Sequence, residues 1–378
     1  METKKIQEIE VEDPIHGDIL EATLSYVPLI YLVPASYVSK QWNHAVLSSL
    51  RHVNPVKPWL TVHTQNPRAP HVTTTYAYDP RSLTWIQIHA PQINHTSALR
   101  SSHSTLLYRL SPTELSFSFD PLHLTWNHVP SPRVWRVDPI VARVGNCIVV
   151  AGGVCDFEDD PLAVEIYNMG SRDWIRCEPM PEMMKGTTTS TWLSVTVTSE
   201  FMYVTEKNSG TMYSFDCKMM MWQGPYDLRG EESVLYYETG TLRNRLVVVG
   251  IVCDAENVKG VKVWEVKEKL GLGLKMEKLG VMPSKMVKKL RGVESELLNT
   301  IKLISIGDSL YVYNPSEPEE MVVCEVSKRG GCEWWSVRNA VVNDETRMKR
   351  IVLSAGDVCL EDLKSAVSRD CKFELKQL

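Results

Sequence analysis

The nine residues AYDPRSLTW at positions 77–85 recur in layout at 118–126, where the chain reads SFDPLHLTW. Each copy has an aromatic residue followed by Asp and Pro, and a tryptophan seven positions after the aromatic. Two further stretches, IYNMGSRDW at 166–174 and SFDCKMMMW at 214–222, keep the same spacing. Four identical spacings indicate a structural repeat. The paired aromatics are Tyr78 with Trp85, Phe119 with Trp126, Tyr167 with Trp174, and Phe215 with Trp222.

The interval between copies of this repeat indicates the kind of fold. The four tryptophans follow one another at intervals of 41, 48 and 48 residues. Repeats of roughly 40–50 residues with regular aromatic positions are typical of β-propeller blades. Pro80, Pro121 and Gly170 lie between the paired aromatics and favour a tight turn. We therefore predict that each pair lies on adjacent antiparallel strands, with the rings filling the space between neighbouring sheets.

Two lengthened units complete the count of blades. KVWEV at 262–266 resembles the first half of the repeat, and residues 267–274 stretch its second half. Residues 321–326, followed by two tryptophans, form a sixth unit, and propellers have roughly four to eight blades. The predicted fold is mainly β, with a propeller over 56–357 closed by a last strand at 350–353. The C-terminal tail, 358–378, contains a predicted short helix, LEDLKSAV.

The segment ahead of the repeats has a different pattern. Residues 14–50 read PIHGDILEATLSYVPLIYLVPASYVSKQWNHAVLSSL, and their apolar positions at spacings of three and four predict three short helices within 14–52. Residues 1–13 form a charged tail with no apolar core, so they are not a signal peptide. A helical module this small buries little surface without a metal, a disulfide or a partner. We therefore expect an external protein partner.

This helical segment resembles an F-box. The most specific features are L-x-x-V-P at 24–28 and V-S-K-x-W at 38–42. The resemblance implies binding to a Skp1-type protein and, through it, to a cullin ubiquitin ligase. Pro14-Ile15 stands where the family usually has Leu-Pro, and Tyr31 stands where an acidic residue is common; a plain helical cap on the propeller is the alternative. The implied Skp1-binding residues are Pro14, Ile15, Leu20, Leu24, Pro28, Leu32, Val38 and Trp42.

The repeats resemble kelch repeats, in which a strand ends in a double glycine before the aromatic pair. Together the two parts resemble the plant F-box/kelch-repeat proteins, and the F-box wording resembles the branch that sends chalcone synthase of the flavonoid pathway to degradation. The resemblance implies a kelch-type propeller and a non-catalytic substrate-recognition subunit of an SCF ubiquitin ligase. The implied kelch structural residues are Tyr78, Trp85, Phe119, Trp126, Gly152, Gly153, Tyr167, Trp174, Phe215 and Trp222.

Composition argues against several other classes of protein. The formal net charge of -5 gives no signal for nucleic acid or an anionic membrane. The most apolar run, 246–253, is too short to span a bilayer. Nine scattered cysteines without a C-x-x-C pair favour a reducing compartment, the cytosol or the nucleus. No nucleotide-binding or hydrolase motif occurs, so no cofactor is expected, although a propeller enzyme and a non-ligase scaffold remain alternatives.

Three local patterns are candidate sites. All ten histidines lie between His16 and His128, but no spacing matches a metal-ligand motif, so hydrogen-bonded or solvated histidines are expected instead of a metal site. An acidic loop, DFEDD at 156–160, follows the double glycine, and Phe157 and Asp159 are candidate target-binding residues; an ordinary acidic turn is the alternative. The basic stretch 259–291 is either a partner-steering patch or a solvated insertion.

Overall fold

The computed structural model describes residues 17–91, 97–154, 160–230, 233–254, 257–269, 273–292, 298–327, 331–341 and 349–376. They form a helical N-terminal module followed by a six-bladed β-propeller, which is the fold predicted from the sequence. The helices are α1 (Asp18–Ser25), α2 (Leu29–Ala35), α3 (Lys40–Ser48), α4 (Ser284–Arg291) and α5 (Leu360–Ser368), with a π-helical turn at Ser49–Val53 and a 3₁₀ helix at Glu182–Thr187.

Each blade is an antiparallel sheet built from consecutive strands. Blade 1 contains β1 (Trp59–Asn66), β2 (Ala69–Asp79) and β3 (Thr84–His89), and blade 2 contains β4 (Leu107–Leu110), β5 (Glu114–Ser118) and β6 (Asn127–Pro130). Blade 3 contains β7 (Ile140–Val144), β8 (Cys147–Ala151), β9 (Val164–Asn168) and β10 (Asp173–Arg176), and blade 4 contains β11 (Leu193–Val197), β12 (Phe201–Glu206), β13 (Thr211–Asp216) and β14 (Met221–Asp227).

The fifth and sixth blades, which the sequence presents as stretched, are complete four-stranded sheets. Blade 5 contains β15 (Val234–Leu242), β16 (Arg245–Asp254), β17 (Asn257–Lys269) and β18 (Gly273–Val281). Blade 6 contains β19 (Lys302–Ile306), β20 (Ser309–Asn314), β21 (Glu317–Val326) and β22 (Cys332–Arg338). The extra residues of blade 5 lengthen its outer hairpin, so they add to the sheet instead of interrupting it.

The ring closes by combining both ends of the chain in blade 1. The closing strand predicted near residue 350 is confirmed as β23 (Arg350–Gly356), which pairs antiparallel with β1 from Trp59 opposite Gly356 to Gln65 opposite Arg350. A further strand, β24 (Lys372–Lys376), pairs with β3 on the outer edge, and the sheet order is β23-β1-β2-β3-β24. The C-terminal segment, expected as a tail with a helix, therefore also extends the first blade.

Blade 2 has three strands in the described part of the chain. The segment before β4, at residues 102–104, forms hydrogen bonds to other blades. Ser102, His103 and Ser104 lie against the inner strands of three other blades. Ser102 Oγ accepts the Val141 N–H (3.0 Å), His103 Nε2 accepts the Arg143 N–H (3.4 Å), Ser104 Oγ accepts the Ser305 N–H (2.8 Å), and Ser104 O accepts the Ala355 N–H (2.7 Å). Burial lowers the pKa of His103 to about 4, which keeps Nε2 free to accept.

The helical module shares its core with the propeller. Leu29, Leu32 and Val46 are fully buried in a cluster that also contains residues of β1–β3 and α5. The sequence pattern led us to expect that an external partner would complete this core. The chain itself completes it, because α5 returns from the C-terminus to pack on α2.

One buried arginine fixes the module on blade 1. The side chain of Arg81, in the turn between β2 and β3, donates to the carbonyl oxygens of Leu24 (3.0 Å), Val27 and Asn54 (3.0 Å). The carbonyls at the end of α1 have no partner within the helix, and a cation there also interacts favourably with the helix dipole. Asn54 also bonds to α1, because its side-chain Nδ2 donates to Ser25 O (3.0 Å).

We expect Arg81→Met to lower the free energy of unfolding by about 3 kcal/mol, because it removes three charge-assisted hydrogen bonds while keeping an apolar stem. Chemical denaturation measures the loss, and limited proteolysis should release the N-terminal helices earlier than in the wild-type chain. Arg68→Met, at an exposed position, is the matched control and should change stability by less than about 0.5 kcal/mol. Equal stability of the two variants would contradict this role for Arg81.

Candidate interaction surfaces

The propeller presents two faces with different neighbours. Counted from the inner strand β23, β2 and β3 are the third and fourth strands of blade 1. Alternate connections of an antiparallel sheet lie at the same end, so the β2–β3 turn lies on the same face as the turns between the third and fourth strands of the other blades. Arg81 in that turn contacts the helical module, which therefore lies on this face. The β8–β9 loop, and the segments that join one blade to the next, emerge on the opposite face.

The implied Skp1-binding residues divide into buried and exposed groups. Leu20, Leu24 and Leu32 are buried in the core shared with the propeller. Pro28 and Trp42 are half-buried, and Val38 is 62% exposed. Pro14 and Ile15 lie outside the described residues.

The helical module also exposes apolar side chains, and two of them, Ile19 and Val38, belong to the apolar pattern that predicted its helices. Ser39 explains part of the V-S-K-x-W pattern, since its Oγ accepts the Trp42 N–H (3.1 Å) and caps α3. The neighbouring Val38 points to solvent, as do aromatic residues in the loops at both ends of α2. The exposed apolar residues between α1 and the start of α3, which we call the F-box surface, are Ile19, Tyr26, Tyr31, Tyr37 and Val38.

The repeated aromatics face each other across adjacent strands in three blades. Tyr78 pairs in register with Trp85, Tyr167 with Trp174, and Phe215 with Trp222, with ring centroids 5.4, 5.4 and 4.9 Å apart. Each tryptophan also donates its indole N–H to a backbone carbonyl of the preceding blade. The acceptors are Arg338 O for Trp85 (3.1 Å), Pro130 O for Trp174 (3.0 Å) and Glu178 O for Trp222 (3.3 Å).

The fourth pair departs from this arrangement. Phe119 follows the end of β5 and Trp126 precedes β6, and the register instead places Phe117 opposite Asn127. Trp126 donates its indole N–H to His123 O within its own turn (3.1 Å). Asp120 explains the difference, because its carboxylate accepts the backbone N–H groups of Leu122, Leu124 and Thr125 and widens the turn.

The double glycine is required by backbone geometry. Gly152 and Gly153 have φ values of 66° and 102°, which L side chains rarely adopt. A Cβ atom on Gly152 would lie 2.4 Å from Thr188 O, and one on Gly153 would lie 2.9 Å from Val137 O. The glycines therefore allow residues 152–154, at the start of the β8–β9 connection, to pack tightly against two other loops on the face opposite the helical module.

These three loops form one surface. Val137 and Val154 exchange backbone hydrogen bonds, Gly153 N donates to Thr188 O (2.9 Å), and Ser190 Oγ donates to Asp138 Oδ1 (2.8 Å). The surface exposes large apolar side chains although hydrogen bonds join its loops. We call it the blade-3 face, and its exposed apolar residues are Trp135, Val137, Val154, Met183 and Trp192.

Buried charged side chains form hydrogen bonds to the loops of the blade-3 face. The guanidinium of Arg136 pairs with Glu165, and both side chains are almost completely buried. Glu165 Oε1 and Oε2 also accept the backbone N–H groups of Arg133 (2.9 Å) and Val134 (3.1 Å). A second buried cation, Lys207, donates from Nζ to Thr191 O (3.0 Å), and burial lowers its pKa to about 8. Sequence patterns gave no indication of either anchor.

The other three candidate sites from the sequence are the acidic loop, the basic stretch and a histidine metal site. Phe157 and Asp159 lie outside the described residues, between Val154 of the blade-3 face and Asp160. In the basic stretch, Lys267 pairs with Glu277 (2.7 Å) and Lys289 with Glu320 (3.6 Å), and the stretch forms β17, β18 and α4. Within the described ranges, no group of three or more His, Cys, Asp or Glu side chains is arranged to hold a metal ion.

Comparison with known proteins identifies the class and then the family. The F-box domain model matches residues 17–54, which covers α1, α2, α3 and the π-helical turn. An F-box/kelch-repeat protein from Arabidopsis thaliana is 44% identical over 378 residues, covering 96% of this chain and 95% of the relative. The chain therefore belongs to the F-box/kelch-repeat proteins, a family of non-catalytic ligase adaptors. Among the described helices, none has the length and apolarity needed to cross a bilayer.

We expect Trp174→Phe to lower the free energy of unfolding by about 1–2 kcal/mol, because it leaves Pro130 O without its donor and reduces the buried ring. Urea denaturation of the full chain measures the change. Trp192→Phe, on the exposed blade-3 face, is the matched control and should be nearly neutral. A neutral Trp174→Phe would show that the indole N–H contributes nothing to the contact between blades 2 and 3.

Proposed function

We propose that this protein is the substrate-recognition subunit of an SCF-type ubiquitin ligase, in which the F-box binds a Skp1-like protein and the propeller binds the target. The observation that carries the proposal is the placement of the F-box and the blade-3 face on opposite faces of one propeller. The chain needs no nucleophile for this task. Holding a target lysine near a ubiquitin thioester on another subunit raises its effective concentration.

The F-box surface is the part of the module that we assign to Skp1. Leu20, Leu24 and Leu32 stabilise the fold and are covered by the chain's own residues. Ile19, Tyr37 and Val38 are exposed by more than half, and the Tyr37 ring lies 5.4 Å from Lys364 Nζ of α5. Interface cores are enriched in aromatic and aliphatic anchors of this kind. Skp1 is expected to cover these side chains and to leave the shared core unchanged.

We expect Ile19→Asp combined with Val38→Asp to weaken binding to a purified Skp1-like protein at least tenfold without changing the melting temperature, because both side chains are exposed. Titration calorimetry measures the affinity. Val281→Asp, at an exposed apolar position of blade 5, is the control and should bind as the wild-type chain does.

Leu20→Asp separates folding from docking in the same experiment. It places a charge in the shared core, so it should lower the melting temperature sharply and reduce Skp1 binding only through loss of the folded module. Undiminished binding by the Ile19→Asp, Val38→Asp variant would show that Skp1 contacts other residues.

The blade-3 face is the surface that we assign to the target. Trp192 is 51% exposed and Met183 is 80% exposed, although both belong to loops anchored by buried hydrogen bonds. Rigid exposed aromatics are favourable anchors, since little conformational entropy is lost on binding. We propose chalcone synthase as the target, supported by the likeness of the F-box wording to that branch of the family, and the cytosol or nucleus as the compartment.

We expect Trp192→Ser combined with Met183→Ser to abolish capture of chalcone synthase by the full chain while leaving Skp1 binding unchanged. Met219→Ser, in the β13–β14 turn on the opposite face, is the matched control. The measurement is pull-down of purified chalcone synthase, followed by its ubiquitination in a reconstituted ligase. Failure of the wild-type chain to bind chalcone synthase would reject this target, and full binding by the double variant would reject the blade-3 face.

A further inference from the structure

The junction between blades 1 and 2 contains a cavity of about 480 Å³. Its walls come from β1–β3, β4, the β5–β6 turn and the residues after α5. Four of the ten histidines border it, which accounts for part of their concentration in the first third of the chain. They are His63, His71, His89 and His123.

The diverted tryptophan of blade 2 belongs to this cavity. In three other blades the repeated tryptophan donates across the junction to the preceding blade. Trp126 donates instead to His123 O of its own turn, and its ring lines the cavity. The departure from the repeat and the cavity therefore occur at the same junction.

A buried cation lies in the cavity wall. Arg109 is 4% exposed, donates from one terminal nitrogen to Ser97 O (2.8 Å), and has its Cζ 5.5 Å from the centroid of the Trp126 ring. Its Nε is buried without a hydrogen-bond partner. Burial lowers the pKa of Arg109 to about 10, so the guanidinium remains charged at neutral pH.

No carboxylate compensates this charge within the described lining of the cavity. A buried charge is unfavourable unless an opposite charge or several hydrogen bonds accompany it. Arg109 makes only part of the hydrogen bonds that a guanidinium offers. An anion entering the cavity would supply the missing partner.

The two deepest histidines provide neutral polar groups in the same cavity. The rings of His63 and His123 are 5.7 Å apart in an edge-on arrangement. Burial lowers the pKa of both, that of His123 to about 4, so neither carries a charge at neutral pH. His63 Nδ1 is 3.0 Å from Thr75 Oγ1, whereas His123 Nε2 is buried without a partner. It can therefore bind a hydroxyl group.

Apolar side chains form much of the remaining wall, and they decide what kind of anion fits. Ile88, Leu99, Leu107 and Leu122 line the cavity together with Trp126. Small-molecule sites of roughly 300–1,000 Å³ with apolar walls and a few convergent polar groups are the usual arrangement in proteins. A bare inorganic anion would meet Arg109 but leave these walls uncovered.

We propose that this cavity binds a small aromatic carboxylate. Its carboxylate pairs with Arg109, its ring packs between Trp126 and the leucines, and a hydroxyl group on the far side of the ring bonds to His123. The proposal does not rest on the ligase function, because no residue that lines the cavity belongs to the F-box surface or to the blade-3 face.

The test is titration calorimetry of the full chain with 2-naphthoate, 6-hydroxy-2-naphthoate, their methyl esters and inorganic phosphate. We expect both acids to bind, the hydroxy acid more tightly, and each ester at least tenfold more weakly than its acid. Arg109→Met should lose at least tenfold in affinity for the acids. Arg143→Met, which removes an arginine stacked on Phe119 outside the cavity, is the matched control and should bind as wild type does.

The melting temperature distinguishes a binding role from a structural one. If Arg109 serves a ligand, Arg109→Met should melt close to the wild-type chain in the absence of acid and show no rise when acid is added. Absence of binding by both acids, equal binding of acid and ester, or binding of phosphate alone would overturn the proposal. The comparison of acid with ester uses only the wild-type chain, so it remains decisive if Arg109→Met does not fold.

Discussion

The contact on which the two-part architecture depends is the insertion of the Arg81 guanidinium beneath the end of α1. Three backbone carbonyls, from Leu24, Val27 and Asn54, accept from this side chain. Because the arginine belongs to a tight turn of blade 1, the same contact orients the F-box relative to the propeller. The shared apolar core then fixes the distance between them. An adaptor whose two ends hold this fixed geometry can present a target at a defined place relative to a ligase.

Packing between blades explains both the regular and the irregular parts of the ring. Where a tryptophan reaches the preceding blade, as Trp85 and Trp174 do, the junction is closed by an aromatic ring and a hydrogen bond. At the junction where Trp126 bonds within its own turn, a cavity remains beside Arg109. The carboxylate of Asp120 organises that turn. It therefore explains why Trp126 does not bond to blade 1 and why the junction between blades 1 and 2 contains a cavity.

The repeat was predictable because its spacing is local. In three of the four copies the seven-residue spacing places the two aromatics opposite each other across a turn. The double glycine marks a backbone conformation that other residues rarely adopt. The candidate interaction surfaces were predictable only in part. Apolar periodicity identifies Leu20 and Leu24, which are buried, but it includes Ile19 and Val38 as well, which are exposed, so the pattern does not separate the core from the surface. Contacts of Arg81 and Arg109 join residues distant in sequence, and no spacing rule reports them. Phe157 stays a prediction.

The first blade contains the beginning and the end of the propeller, and this has a consequence for biosynthesis. β1 is among the first strands made, but its partner β23 and helix α5, which covers the F-box core, are among the last. During synthesis the F-box helices therefore lack this support until α5 has been made. A chain that ends before α5 would leave the core shared by the F-box and blade 1 uncovered on that side.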